Sequence, residues 1–329
     1  ILQATSTEAY AGPYGLNWDE TNDAYLRTGS TNYKAIQSLM RRCVMNDNGT
    51  VNYYLHPQNS NYKEDGTAAD LTGASGNVMV EVPKFYYKYN YNTAVGVVHE
   101  HSISLTPLEG YTVHDAFVRG GVEKAHRYYP AYLGYSTGSK LLSRSGVYPT
   151  VSQTRAQFRT LARANGAGWE QIDFLLYEAI TLLMVIEHGT MNIQSALGQG
   201  RTALTGGTWA GSSLIGINGL SNGVGNGTAN VTYAGSEDDA AADGSFMTYR
   251  GCENFFGNIW RFVDGINCNG SNSKLIYLNM NPATYADSVI TGDYVSIGET
   301  SAAAGGYARK LCNTRKGFIP TDITGGTSA

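Results

Sequence analysis

Charge is what this sequence has least of. Only 15% of its 329 residues are Asp, Glu, Lys or Arg, against about 25% in an ordinary soluble domain. The balance is slightly acidic, −4, so the basic footprint that nucleic-acid binding requires is missing. No apolar run is long enough to span a bilayer. The most apolar one, Ile172–Ile186, carries Asp173 and Glu178 within it, and membrane insertion is not expected. The four cysteines, Cys43, Cys252, Cys268 and Cys312, stand far apart with no Cys-x-x-Cys pair, which removes zinc-ligand spacing. Buried free thiols are expected, with Cys252 and Cys268 the pair to join if the setting is oxidising. A Gly-x-Ser-x-Gly elbow, a Walker A loop and a strand–glycine–helix dinucleotide signature are all missing. With 40 glycines, scattered Gly-x-Gly fragments carry no weight.

What is present is glycine, 24 tyrosines and only eight prolines, with Asn, Ser and Thr throughout. That mixture suits a β-rich, loop-rich chain, and it is also the mixture found on adaptable binding surfaces. Alternation over "GTVNYYLHP", "GNVMVEVPKFYYKYNY" and "VGVVHEHSISL" predicts strands. In the second of these Val78, Val80 and Val82 share one face, and Asn77, Met79 and Glu81 the other. Two helices are predicted. "TRAQFRTLARANG" has Thr154 as N-cap and ends at Gly166. "GWEQIDFLLYEAITLLMVIEHG" carries an apolar stripe at Ile172, Leu175, Leu176, Ala179, Leu183 and Ile186, and Gly189 closes it. From Gly198 to Gly244 the chain becomes a long polar excursion.

Two clusters invite a metal. His99 and His101, in "HEH", would project together from a strand. Three copies around a threefold axis would then offer six imidazole nitrogens to a transition metal. The plainer alternative is an exposed edge strand with two solvated histidines. The acidic run Glu237–Asp243 offers hard oxygens for Ca²⁺ but lacks EF-hand spacing, and a solvated loop is the simpler expectation.

The segment "YRGCENFFGNIWRFVDGIN", Tyr249–Asn267, brings in a family. "ENFFGNIWRFVDG" resembles the Gly-Asn-x-Trp strand shared by formylglycine-generating enzymes and related C-type-lectin-like domains. Asn254, Gly257, Asn258, Trp260 and Asp264 fall in register as framework residues. The enzyme's Glu is Arg261 here, and its second Trp is Phe262. The wider blocks "EVPKFYYKY", "HDAFVRGGVE", "LGYSTGSKLLSRSGVYPTVSQTRAQFRTLARANGAGWEQ" and the helix after them resemble phage and prophage tail-fibre or receptor-binding proteins. Some of these are targets of diversity-generating retroelements, similar in fold to the major tropism determinant.

That resemblance implies an α+β chain: a β-rich N-terminal region over 1–110, for fibre attachment or as a lectin-domain extension, then a C-type-lectin-like domain over 111–329 with two core helices and short antiparallel strands. It implies a non-catalytic virion adhesin on a tail fibre or other surface appendage. Its partners would be a host-cell glycan or protein and other virion proteins, in a homo-oligomer, plausibly a trimer, with no cofactor beyond a metal ion. Cys312 in "ARKLCNTRKGF" has no partner in the enzymes' paired-cysteine motif, which argues against oxidase chemistry. Trp209, Tyr233, Asp238 and Asp239 in the long excursion are the expected ligand contacts. In the phage proteins further strands with variable contact residues follow the "GFIP…GG" stretch. Those strands are expected either beyond Ala329 or supplied differently. In this frame Phe255, Ile259 and Phe262 are candidates for the core, and Trp260 anchors its strand. A structural virion protein that uses the same fold for packing is the alternative.

Overall fold

Period-two alternation places one face of each strand against a core and the other against a second layer or solvent. A computed structural model describes residues 10–94, 96–201, 215–231, 245–269, 274–301, 306–312 and 314–325. The N-terminal part supplies β1 (Tyr14–Asp19), β2 (Ala24–Gly29), β3 (Arg41–Met45), β4 (Val51–Tyr54), β5 (Asn77–Pro83), β6 (Tyr86–Asn92) and β7 (Val98–Ser104). Four short strands follow: β8 (Thr112–Val113), β9 (Val118–Arg119), β10 (Val122–Glu123) and β11 (His126–Pro130). They form a five-stranded antiparallel sheet, β2-β1-β7-β6-β8, and a four-stranded one, β11-β5-β3-β4, with β9 and β10 as a separate hairpin. The boundary at residue 110 is bridged by the pairing of β11 with β5.

Next come the hairpin β12 (Tyr135–Ser136) and β13 (Leu141–Leu142) and the helices α1 (Arg155–Arg163), α2 (Phe174–His188) and α3 (Ile193–Leu197). The chain then forms β14 (Ala229–Val231), β15 (Phe246–Tyr249) and β16 (Cys252–Glu253), a three-stranded sheet. A second three-stranded sheet contains β17 (Ile266–Asn269), β18 (Lys274–Leu278) and β19 (Val295–Ser301). The hairpin β20 (Gly306–Leu311) and β21 (Pro320–Gly325) ends the described chain. The fold is therefore α+β and β-rich, with antiparallel sheets and three α-helices among the described residues. No helix among them is long and apolar enough to cross a membrane.

The helix ends follow their local chemistry. Thr154 and Gln157 form a reciprocal capping box on α1, although this helix stops at Arg163, before Gly166. Asp173 caps α2, and Gly189 ends it in the left-handed region at φ 73°. α2 is buried nearly all round, from Leu175 to Ile186, so its predicted stripe is only one side of a core helix. α3 was not expected.

Strand β5 is buried on both faces. Val78, Val80 and Val82 join the main core, each contributing roughly 1.5–3 kcal/mol by burial. On the other face Met79 packs with Cys43 and Met45. Glu81, beside it, accepts hydrogen bonds from Arg41 (3.0 Å), Tyr54 (2.9 Å) and Tyr128 (3.0 Å).

The four thiols are free. Cys43, Cys252 and Cys312 are buried and Cys268 is exposed, so the expected Cys252–Cys268 pair does not form: one sulfur lies in the core and the other faces solvent. Burial pushes the Cys43 and Cys252 thiols up to about 12, which suppresses the reactive thiolate. Ellman's reagent should therefore titrate one thiol quickly in the native protein and four after denaturation, with Cys268→Ser abolishing the fast phase. Two fast thiols would contradict this packing.

Candidate functional site: a pinned loop with outward aromatics

The stretch from Tyr249 enters on a tight hairpin. Arg250 and Gly251, both at positive φ (48° and 83°), turn β15 into β16. Beyond Glu253 the expected strand gives way to a loop that runs to Val263. Asn254 (φ 49°), Gly257 (φ 78°) and Asn258 (φ 66°) occupy the left-handed region, which breaks extended backbone and which Asn and Gly tolerate best.

The loop is held from inside. Phe255 is buried and stacks on Tyr177 of α2, with ring centroids 4.6 Å apart and planes 4° from parallel. The buried Asn258 amide accepts from the Gly216 N–H at 2.7 Å and donates to the Gly216 carbonyl at 3.1 Å, while its own N–H reaches the Arg201 carbonyl at 2.7 Å. Asn258 thus ties the loop to residues on both sides of the 202–214 segment. Arg261 folds back, donating to the carbonyls of Phe255 (3.0 Å) and Asn254 (2.7 Å) and to the Tyr129 hydroxyl. The Arg at this position, where the resembling enzymes carry Glu, is therefore a brace for the loop's own backbone.

Asp264 fixes the far end. It is fully buried and receives a two-point bond from Arg159 of α1, Nε–Oδ2 at 2.8 Å and Nη2–Oδ1 at 2.5 Å. Its backbone bridges to α2's entry, donating to Ile172 O and accepting from Phe174 N, both at 2.8 Å.

Between these pins, Trp260 is 101% exposed and Phe262 49%. The expectation that Trp260 anchors a strand is corrected: with Arg261 turned inward, the residues on either side of it point out. Of the three predicted core residues Phe255 alone is buried; Ile259 is half-buried, and Phe262 is exposed, its ring centroid 6.3 Å from that of Phe158 of α1. The remaining framework residues, Asn254, Gly257, Asn258 and Asp264, build the loop. The side-chain amide of Asn254 is buried without a hydrogen-bond partner among the described residues. Trp209, Tyr233, Asp238 and Asp239, like the acidic run Glu237–Asp243, lie outside the described residues.

His99 and His101 sit elsewhere. They share a face of β7, as alternation requires, with rings 6.4 Å apart and nearly parallel. β7 is interior to its sheet, however, and both imidazoles are buried. The solvated edge strand is thus corrected. His99 meets the Tyr89 hydroxyl at 3.0 Å and Glu20 at 3.1 Å, and His101 meets the Tyr87 hydroxyl at 2.9 Å. Burial drives His101 and nearby His114 down to about 3. No three ligating side chains among the described residues are grouped to hold a metal ion.

Sequence reasoning missed Arg261 as a brace, and it missed the buried Arg42. Arg42 donates to Gly251 O (2.8 Å), Ser60 (3.1 Å) and Ser221 (2.6 Å), beneath the hairpin that launches the loop. Arg42 carries no local signal, because its partners are distant in sequence, and Arg261 bonds neighbouring carbonyls only after the loop has turned back on itself. No family model matches this chain, and no curated protein matches it.

Proposed function

We propose that this chain is a non-catalytic receptor-binding module, of the kind carried on phage tail fibres, with a C-type-lectin-like C-terminal region. The observation that carries this reading is a fully exposed tryptophan on a loop fixed by buried polar contacts. A rigid aromatic gives large contact area at low entropic cost, and tryptophan is enriched among interface hot spots. An indole face stacks on a sugar or on an apolar protein surface, and no covalent step is needed. The resemblance of residues 254–264 to lectin-like framework, and the low charge of the chain, support the same reading. Repetition in a homo-oligomer would multiply weak contacts.

The test is binding of the native assembly to intact host cells and to a glycan array. Saturable binding that soluble receptor competes away is expected, and its absence on every host and glycan would overturn the role. A packing role is the second reading. It is favoured by β2, an edge strand that exposes Leu26 at 65%, since unpaired edges invite strand addition. Assembly lost on Leu26→Lys, with cell binding never present, would support packing instead.

A further inference from the structure

Among the described residues, β20 and β21 pair only with each other. Their hairpin is held to the rest of the molecule near its turn, residues 314–319. Cys312 and Ile319 enter the main core there, and the Phe318 ring lies against His101, centroids 5.1 Å apart. Two polar anchors sit at the rim: Lys316 pairs with Asp115, and Arg315 donates to the Thr112 hydroxyl at 2.6 Å. These cations are 33% and 31% exposed, so solvent screens them. The third anchor is buried. The Phe318 N–H donates to the Glu178 carboxyl at 2.9 Å. Gly317 presses on the same group, since a β-carbon there would stand 2.7 Å from the Glu178 Cδ.

Nothing that faces Glu178 can balance its charge. Tyr87 of β6, His99 and His101 of β7, His114, Cys312 and Arg315 border the cavity beside it. Burial lowers all three imidazoles below their ordinary range, so they are neutral above it. Arg315 lies over the Tyr87 ring at 5.5 Å, and no cation among the described residues pairs with Glu178. Tyr177, next to it on α2, turns to Phe255 instead. The cavity measures about 10 Å³, the lower limit for one water and too little to hydrate a carboxylate. Of its walls, β6 and β7 are interior strands and α2 is a core helix. The turn is the wall that can yield.

We propose that residues 314–319 form a proton-controlled cover, which seats on a neutral Glu178 and lifts when that carboxyl ionises, opening the histidine-lined cavity beneath. Ionisation with the cover seated would bury an unpaired, unhydrated charge; lifting admits water and breaks only screened contacts besides the Phe318 bond. The device is independent of the receptor reading.

Cys312, buried beside the turn, reports the opening. In the Cys268→Ser chain its alkylation is measured at pH 6.5 and pH 8, each rate divided by that of the denatured chain at the same pH. With the carboxyl at about 8 when covered and 4.5 when open, the corrected rate should rise roughly 15-fold over this interval. It should stay flat in Glu178→Gln, and Cys43 and Cys252 should remain protected throughout. The count of one fast thiol holds for the closed cover, at pH 6.5. Deuterium exchange on the parent chain gives the same answer without a variant: residues 314–319 should lose protection across this interval while α2 keeps it. The proposal is overturned by a flat rate in the parent or an equal rise in Glu178→Gln. Three buried thiols reacting together, or α2 exchanging with the turn, would overturn it as well, since the opening would then be global.

Discussion

Replacing Asp264 by Ala is expected to destabilise the protein by about 3–5 kcal/mol, because it strands a buried guanidinium. Arg159 is 7% exposed, and its two-point bond to Asp264 ties α1 to the end of the Trp260 loop. Asp287 also accepts from Arg159, at 2.6 Å, but its side chain is 38% exposed. Asp287→Ala should therefore cost under about 1 kcal/mol, as solvent-screened pairs do. At roughly 2 °C per kcal/mol, the melting temperature should fall by about 6–10 °C for Asp264→Ala and by less than about 2 °C for Asp287→Ala. Adding Arg159→Ala to Asp264→Ala should cost less than the two single losses combined, since the stranded charge goes with it. Similar shifts for the two aspartates would show that burial of the pair does not govern its strength.

The second large effect is on pH. Glu178 lies in mid-α2, buried against β7 and the chain's C-terminal hairpin, where Tyr87, His99, His101, His114, Cys312 and Arg315 border the same small cavity. Burial pushes its carboxyl up to about 8, against the opposing hydrogen bond from the Phe318 N–H at 2.9 Å. The folded state thus keeps a proton that the unfolded chain gives up near 4.5. This group's contribution is fully present below that pH and is lost as pH rises towards 8. His101 and His114 act in the opposite sense. Held neutral down to about 3, they favour the fold above 6.5 and lose that contribution as pH falls.

Stability should therefore peak near pH 6.5. Between there and pH 8 Glu178 alone removes about 2 kcal/mol. Glu178→Gln keeps an acceptor for Phe318 and cannot ionise, so the difference between parent and variant melting curves isolates this group. That difference should grow in the variant's favour from pH 6.5 to 8. Parallel curves would show that Glu178 is not held protonated.

Local chemistry made the helices legible. Thr154 and Gly189 mark ends through bonds to their own neighbours, and an apolar stripe at helical spacing needs no distant partner to be recognised; the start of α2 at its Asp173 cap lies inside the stretch expected to be helical. Strand alternation was legible in β5 and β7 for the same reason. What covers a strand's second face was not: Glu81 depends on Arg41, Tyr54 and Tyr128, and the histidine face is closed by α2 and Phe318. The loop from Asn254 shows both sides. Its Asn and Gly residues carried a readable signal for left-handed backbone, yet the density of aromatics suggested a buried strand. Hydrophobicity alone does not tell a core tryptophan from a displayed one. The inward turn of Arg261 decides it, held by the carbonyls of Asn254 and Phe255 and by the Tyr129 hydroxyl, the last of them far off in sequence.

The most direct measurement of the binding role is host-cell affinity of Trp260→Ala beside the parent, at matched melting temperature. Trp260 is fully exposed, so the substitution should change stability by less than about 0.5 kcal/mol. As a binding hot spot it should weaken attachment by at least about 30-fold, and Trp260→Phe should recover part of the loss. Attachment unchanged in Trp260→Ala would contradict the assignment of this loop as the receptor-contacting surface.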